Sequence, residues 1–286
     1  MQSVVRARRV LGQLLGWLLV WGSLSGCGVI TERVAGWYIT RKLDSYLDLD
    51  SAQKKAARVQ VDAALVELRR EELSHWVSFL REVRAGVHQG LSEDDIARLQ
   101  RHYDGRLDAG VDLLSPFFAS VLVGLSAEQL DYFAQRMRED VDEHYEERML
   151  EAGERQRAIE KRALRVVTDL TGDLSDTQTE AMRTILRSVP DERPSQYRAA
   201  HANIGRFRLA MAAAPTAENI VKLLRAMWDE RYDGLGPGRG KTERRAEQRQ
   251  ALYRASQLLD EKQRAHVEAT LTERIVTLKR FVLAGS

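Results

Sequence analysis

The chain has 286 residues, with 44 Lys or Arg side chains, 42 Asp or Glu side chains and a formal net charge of +2. Residues 1–26 contain three arginines and no acid, so residues 27–286 carry 41 basic against 42 acidic side chains, a formal charge of −1. This balance argues against a nucleic-acid partner, which needs clustered positive charge. Helix-forming residues dominate and there are only five prolines, which together predict an all-α fold.

Residues 1–26 have the pattern of a bacterial lipoprotein signal peptide. Three arginines in the first nine residues precede a largely apolar stretch over residues 10–21, which is shorter than the about 20 residues of a transmembrane helix. Small residues then lead to Leu24-Ser25-Gly26-Cys27, which is typical of a lipobox. We predict cleavage between Gly26 and Cys27 and lipidation of Cys27. The alternatives are an ordinary secretory signal with a coincidental cysteine, or an uncleaved signal anchor.

Lipidation at Cys27 would attach the mature chain to a membrane. A thiolate is the nucleophile that such chemistry needs, and two or more acyl chains, such as palmitate, give stable anchoring. The next residue is Gly28, and not the Asp that retains lipoproteins in the inner membrane in the best-studied Gram-negative sorting system. We therefore predict the periplasmic leaflet of the outer membrane. Residues 27–48 are predicted to form a lipid-proximal helix. Its Trp37 and Tyr38 are expected to pack into the bundle, with the membrane interface as the alternative.

A capping pattern recurs along the rest of the chain. In Leu49-Asp50-Ser51-Ala52-Gln53, the aspartate and the glutamine three residues later form a capping box, which predicts a helix start. Consecutive starts are 34 to 49 residues apart, the length of one long helix or a helical pair. The same pattern returns at residues 125–129, 174–178 and 259–263, and looser versions occur at 91–95 and 215–219.

The two halves of the chain resemble each other at an offset of 125 residues. We predict an elongated multi-helix bundle of two related three-unit halves, helical module 1 at 49–173 and helical module 2 at 174–286; the alternative is chance similarity among amphipathic helices. The matched polar clusters are a candidate binding surface, since repeated polar groups can line a common groove. A structural role is the default, with the aromatic residue packed inward and acid–base pairs joining adjacent helices. The clusters consist of Tyr103, Asp104, Arg106 and Asp108, and of Trp228, Asp229, Arg231 and Asp233.

Other motifs do not predict a cofactor, a metal or a nucleotide. Gly240-Lys241-Thr242 resembles the end of a phosphate-binding loop, but Leu235 stands where that loop needs its first glycine. Asp142-Glu143-His144 is a candidate metal corner. Three consecutive side chains on a helix point in different directions, so we expect a solvated charged face there.

Three further features occur together in this chain: the lipobox at 24–27, Leu43-Asp44-x-Tyr46-Leu47-Asp48-Leu49 followed by Gln53, and Arg70-Glu71-Glu72-Leu73 with Trp76, Phe79 and Leu80. In these residues the whole chain resembles a family of uncharacterised, all-helical proteobacterial lipoproteins. That resemblance implies the fold and the anchor but no reaction. The helix starts are also similar to the Leu-Thr-x-x-Gln motif of Spy-type periplasmic chaperones, with Ser or Asp in place of Thr.

We therefore expect a lipid-anchored periplasmic envelope protein that acts by binding or scaffolding an unidentified envelope protein, without a catalytic centre. The first alternative is a holdase-like chaperone or envelope-stress factor, which needs an exposed apolar surface of several hundred Å². The second is an enzyme acting on envelope components, which needs a deep pocket with converging titratable groups.

Overall fold

A computed structural model describes residues 32–146, 152–231 and 240–283, and within these ranges the regular secondary structure is entirely helical. The all-α prediction is therefore confirmed for this part of the chain. The predicted leader, Gly26, Cys27 and Asp233 lie outside the described residues. The helices are α1 (Glu32–Leu47), α2 (Ser51–Glu71), α3 (Leu73–Gln89), α4 (Glu93–Leu122), α5 (Ala127–Glu146), α6 (Ala152–Thr171), α7 (Asp176–Ser188), α8 (Arg193–Ala212), α9 (Ala217–Asp229), α10 (Lys241–Gln257) and α11 (Glu261–Leu283).

The chain divides into two compact units, and each unit is built from three separate stretches of sequence. Of the described residues, the first unit takes 32–72, 107–145 and 194–231, and the second takes 73–106, 146, 152–193 and 240–283. Each unit thus takes stretches from both predicted modules, and the duplication itself stays a prediction. Among the helices in the described ranges, none combines the length and apolarity needed to cross a membrane.

The turn between α1 and α2 explains the spacing of the Leu and Asp residues in the motif at 43–49. Leu47 and Leu49 are buried in the core of the first unit. Between them, Asp48 has a φ of 45°, a left-handed conformation that turns the chain sharply. The Asp44 carboxylate accepts a hydrogen bond of 3.2 Å from the Leu49 N–H and pairs with Lys54 at 3.2 Å. The motif therefore fixes this turn in place.

In the first unit, two capping boxes face each other. Gln53 accepts from the N–H of Asp50 at 3.0 Å, and Gln129 accepts from the N–H of Ser126 at 3.0 Å. Each side-chain amide also donates to the amide oxygen of the other glutamine, at 3.0 and 2.7 Å. Gln53 also donates to the Gly124 carbonyl, which lies beside the Gln129 box, and Gln129 donates to the Asp48 carbonyl, which lies beside the Gln53 box. We call such a pair of capping glutamines a glutamine clasp.

The second unit contains an equivalent clasp. Gln178 and Gln263 cap α7 and α11, and their amides donate to each other at 2.8 and 3.0 Å. Gln178 also donates to the Leu258 carbonyl at 2.7 Å, and Gln263 donates to the Asp173 carbonyl at 2.8 Å. The four predicted capping boxes are therefore confirmed, and they join in pairs within each unit. The looser start at 215 is confirmed as well, with Thr216 capping α9.

Helix α1 presents two different faces. Its inner face contributes Leu43, Tyr46 and Leu47 to the core of the first unit. Trp37 and Tyr38 are 54% and 42% exposed, so the expectation that they pack into the bundle is wrong. The physical reason is the period of 3.6 residues per turn, which places both rings on the side of the helix opposite that core-facing stripe.

Candidate functional site

The structure distributes the predicted binding residues between the two units. Asp108, Trp228, Asp229 and Arg231 belong to the first unit, and Tyr103, Asp104 and Arg106 belong to the second. Asp233 lies outside the described residues, and the other seven do not form one surface within either unit. Each unit instead contains its own cluster of aromatic, acidic and basic side chains.

In the first unit, the cluster is centred on Trp228, which is buried near the end of α9. Its indole N–H donates to the Asp108 carboxylate on α4 at 2.6 Å. The Arg231 guanidinium lies 3.7 Å from the centroid of the Trp228 ring and donates to the Trp228 carbonyl at 2.7 Å. The buried indole therefore has both its polar atom and its ring face occupied.

Arg225 extends this cluster by one helical turn. Its guanidinium donates to Asp112 on α4 at 2.5 Å and to Asp229 on its own helix at 3.1 Å. Burial alone would lower the pKa of Arg225, but the hydrogen bonds to Asp229 and Asp112 outweigh it and raise the pKa. These ion pairs, together with Trp228, hold α9 against the second part of α4.

The second unit has a comparable arrangement between the first part of α4 and α10. The Asp104 carboxylate accepts a hydrogen bond from Arg245, and both side chains are largely buried. Tyr103 packs against Trp76 and Phe79 of α3, with ring centroids 5.8 and 6.0 Å apart. Inward-packed aromatic rings and acid–base pairs between helices agree with the structural interpretation. The binding role stays a prediction.

A cluster that the sequence did not reveal joins α5 and α8. The Asp142 carboxylate accepts a hydrogen bond from the Tyr197 hydroxyl at 2.8 Å and lies 2.9 Å from the His201 Nε2. The two rings pack edge to face at 4.6 Å. The sequence predicts a solvated charged face around Asp142, but the side chain is half-buried and links two helices. The spacing of Tyr197 and His201, four residues apart on one helix, was the available signal.

A second such contact is buried. The Tyr46 hydroxyl donates to the Asp140 carboxylate, so the family-like motif at the end of α1 reaches α5. Burial raises the pKa of Tyr46, and the bond to Asp140 raises it further. The tyrosine is therefore a neutral hydrogen-bond donor that fixes α1 on the bundle.

An apolar cleft lies nearby between α1, α2 and α4. It is lined by side chains that include Ile39, Leu65, Leu68 and Phe117, and its volume is about 40 Å³. Pockets that hold small molecules measure roughly 300 Å³ or more. This cleft accommodates at most a small apolar group. Within the described ranges, no group of three or more His, Cys, Asp or Glu side chains is arranged to hold a metal ion.

Comparison with known proteins gives one assignment. Neither a curated protein nor a solved structure matches the chain. A family model matches residues 45–233, which include the α1–α2 turn, three of the four clasp glutamines and the whole predicted binding set. Helices α10 and α11 lie beyond the match. The chain belongs to DUF6279, a family of unknown function.

Proposed function

We propose that this protein is a lipoprotein anchored through Cys27 to the periplasmic leaflet of the outer membrane, where it acts by binding or scaffolding. The lipobox at 24–27 and Gly28 supply the sequence argument for the anchor and its address. The polar clusters of both units bind their own helices together, which leaves the exposed helix faces as the surfaces for partners.

The observation that carries the proposal is the outer face of α1. Trp37 and Tyr38 are both exposed, and the Arg41 guanidinium lies 5.3 Å from the centroid of the Trp37 ring. Amphipathic aromatic rings and basic side chains are the residues favoured at the surface of an anionic membrane. A folded helix in water would gain more from burying a tryptophan than from exposing it.

The position of this face fits the proposed anchor. Five residue steps separate Cys27 from the first residue of α1, a reach of at most about 18 Å. Trp37 lies another five residues along the helix, about 7.5 Å further. The outer face of α1 is therefore within reach of the membrane to which acylated Cys27 would be attached.

Membrane fractionation tests the proposal. We expect the wild-type protein to remain with outer membranes after a high-salt wash, and a Cys27→Ser variant to be released or left uncleaved. Gly28→Asp should shift the protein to inner-membrane fractions, whereas the matched control Gly28→Ala should not. Unchanged cleavage and membrane retention of the Cys27→Ser variant would contradict lipid anchoring, and an unmoved Gly28→Asp variant would contradict the outer-membrane address.

A further inference from the structure

Helix α6 of the second unit has a basic outer face. Its inner side packs against neighbouring helices and contains the buried side chains of Glu160 and Thr171. Between Arg157 and Val166, six side chains are exposed, of which four are basic and none is acidic. We call these four side chains the basic face. They are Arg157, Lys161, Arg162 and Arg165.

No acidic side chain neutralises the basic face within the described ranges. The Glu160 carboxylate turns to the inside, where it accepts hydrogen bonds from Arg187 of α7 at 2.9 Å and from Gln156 at 3.2 Å. The exposed acids Glu154 and Asp169 lie near the two ends of α6, and neither pairs with the basic face in this part of the chain. The four cations therefore project into water without a counter-ion from the described residues.

Surface arginines elsewhere in the second unit do have acidic partners. Arg98 pairs with Asp95 at 2.7 Å, and Arg183 pairs with Glu180 at 3.1 Å. The unit thus supplies acids for these arginines but, among the described residues, none for the basic face.

The spacing of the basic face brings like charges together. Three of its members follow each other at intervals of four residues, which places their charges one turn, about 6 Å, apart along a line of about 12 Å. Like charges at this spacing destabilise a helix. Anionic groups along this line would remove the repulsion, whereas dissolved salt only screens it. The arrangement therefore indicates an extended anionic partner.

We propose that the basic face of α6 binds the anionic headgroups of phospholipids at a membrane surface. Phosphate oxygens accept hydrogen bonds from guanidinium and ammonium groups, and these charge-assisted bonds are stronger than neutral ones. Clusters of about four to eight basic side chains on one helix are typical of contacts with anionic lipids. The basic face reaches that number, and its contact with headgroups does not require α6 to enter the hydrocarbon.

The composition of the face favours a lipid surface over an acidic protein. The centre of a protein interface is apolar and rich in aromatic rings, and it excludes water. Among the cations of the basic face, the exposed side chains are only Ala158 and Val166. Lipid headgroups are mobile and remain hydrated, so they can neutralise flexible side chains without a closely fitting apolar surface.

The membrane as the source of these headgroups rests on the proposed function. Acylation of Cys27 would hold the chain at a membrane, and a tethered group meets its partner at an effective concentration in the millimolar range. A contact of a few ion pairs is sufficient at such concentrations. Because the basic face offers charge and the outer face of α1 offers aromatic rings, the two contacts should differ in their response to salt.

Sedimentation with vesicles tests the proposal without the anchor. The complete chain from residue 27 to residue 286 carries Cys27→Ser, which removes the acylation site, and Trp37→Ala, which removes the aromatic contact of α1. It is mixed with vesicles of phosphatidylcholine alone, or of phosphatidylcholine and phosphatidylglycerol in equal amounts. We expect binding only to the vesicles with phosphatidylglycerol. This binding should be lost between about 0.1 M and about 1 M salt, because the screening length falls from about 10 Å to about 3 Å.

Neutralising half of the basic face measures its contribution. Each basic side chain near an anionic surface favours the bound state about fivefold, so Lys161→Gln with Arg165→Gln should weaken binding roughly 20-fold. The matched control is Arg81→Gln with Arg101→Gln, which removes the same charge from exposed side chains of the same unit that pair with no described acid. Both variants should keep the helical content and melting temperature of the parent chain, because glutamine is a good helix former.

The possible outcomes separate the claims. No binding to vesicles with phosphatidylglycerol, equal binding to both kinds of vesicle, or equal binding by the two variants overturns the proposal. Absence of vesicle binding, together with a crosslink to an acidic envelope protein that only the basic-face variant loses, would assign the face to a protein instead. Vesicle binding as expected, with an unacylated Cys27 in the native protein, keeps the lipid contact and overturns only the anchor. An acylated Cys27 with equal binding by the two variants keeps the anchor and overturns the lipid contact.

Discussion

Each capping glutamine in a clasp uses both ends of its amide. The oxygen of Gln129 accepts from the Ser126 N–H and from the Gln53 amide, while its nitrogen donates to Gln53 and to the Asp48 carbonyl. A glutamate could accept but not donate, so it could cap its helix without linking two helices. The residue type at this position therefore reflects packing between helices as well as capping.

Replacing Gln129 by Ala should destabilise the first unit. The variant loses a capping bond and leaves the Asp48 carbonyl and the Gln53 amide without their partner, so we expect a loss of about 1–3 kcal/mol in the free energy of unfolding. Urea denaturation followed by circular dichroism measures it. Gln135→Ala is the matched control, because Gln135 is exposed and its amide donates to Glu139 of its own helix. Equal losses in the two variants would contradict the role of the clasp.

The looser helix start at residues 91–95 predicts a pH effect. Asp95 replaces the glutamine there, and hydrogen bonds from Ser92 and then Arg98 lower its pKa from 3.8 to about 2. A lowered folded-state pKa contributes stability that is present above pH 3.8 and lost as pH falls towards 2. The difference in unfolding free energy between wild type and Asp95→Asn should therefore shrink over this range. A constant difference would contradict the assignment.

Capping residues were predictable from sequence because a cap is a local contact. The Ser126–Gln129 and Asp260–Gln263 pairs are three residues apart, and the backbone geometry of a helix start dictates the spacing. The contacts between Gln53 and Gln129, or between Trp228 and Asp108, join residues 76 and 120 positions apart. They depend on which helices become neighbours, which no local pattern specifies.

At the scale of helices, α1 is the element whose sequence left two readings open. Trp37 fits either a core or a membrane interface by residue type alone. Its exposure decides against the core. Residue patterns also could not place the division between the units within α4, because that helix is continuous from Glu93 to Leu122, with Pro116 inside it.

Tryptophan fluorescence tests the orientation of α1. Residues 27–286 contain three tryptophans, Trp37, Trp76 and Trp228, and the last two are buried. In vesicles that contain brominated anionic lipids, we expect quenching of the Trp37 emission only. Trp37→Phe should remove most of the quenching, whereas Trp76→Phe should leave it. Quenching that survives Trp37→Phe would show that α1 does not lie at the membrane.

At the scale of the whole chain, each unit combines helix starts from both predicted modules. The first unit contains the starts at 49, 125 and 215, and the second contains those at 174, 259 and 91. Sequence spacing identified the six starts and indicated two related halves. It could not indicate that the start at 91 lies in the unit with those at 174 and 259, or that the start at 215 lies in the unit with those at 49 and 125. A repeat in sequence does not specify which helices pack against each other.

Fragment complementation tests this composition. Neither 27–149 nor 150–286 contains a complete unit, so we expect each fragment alone to unfold without a cooperative transition. Co-expression of the two should restore the helical content and the cooperative melting of the intact chain. A fragment that melts cooperatively by itself would contradict the division into these units.

The proposed function requires a lipid-bearing cysteine at the start of the mature chain. Intact mass spectrometry of the protein purified from its own envelope in detergent measures this directly. We predict a mature chain that begins at Cys27 and carries the added mass of at least two acyl chains, all of it on the N-terminal peptide. An unmodified Cys27, or a mature chain that begins at another residue, would contradict the account.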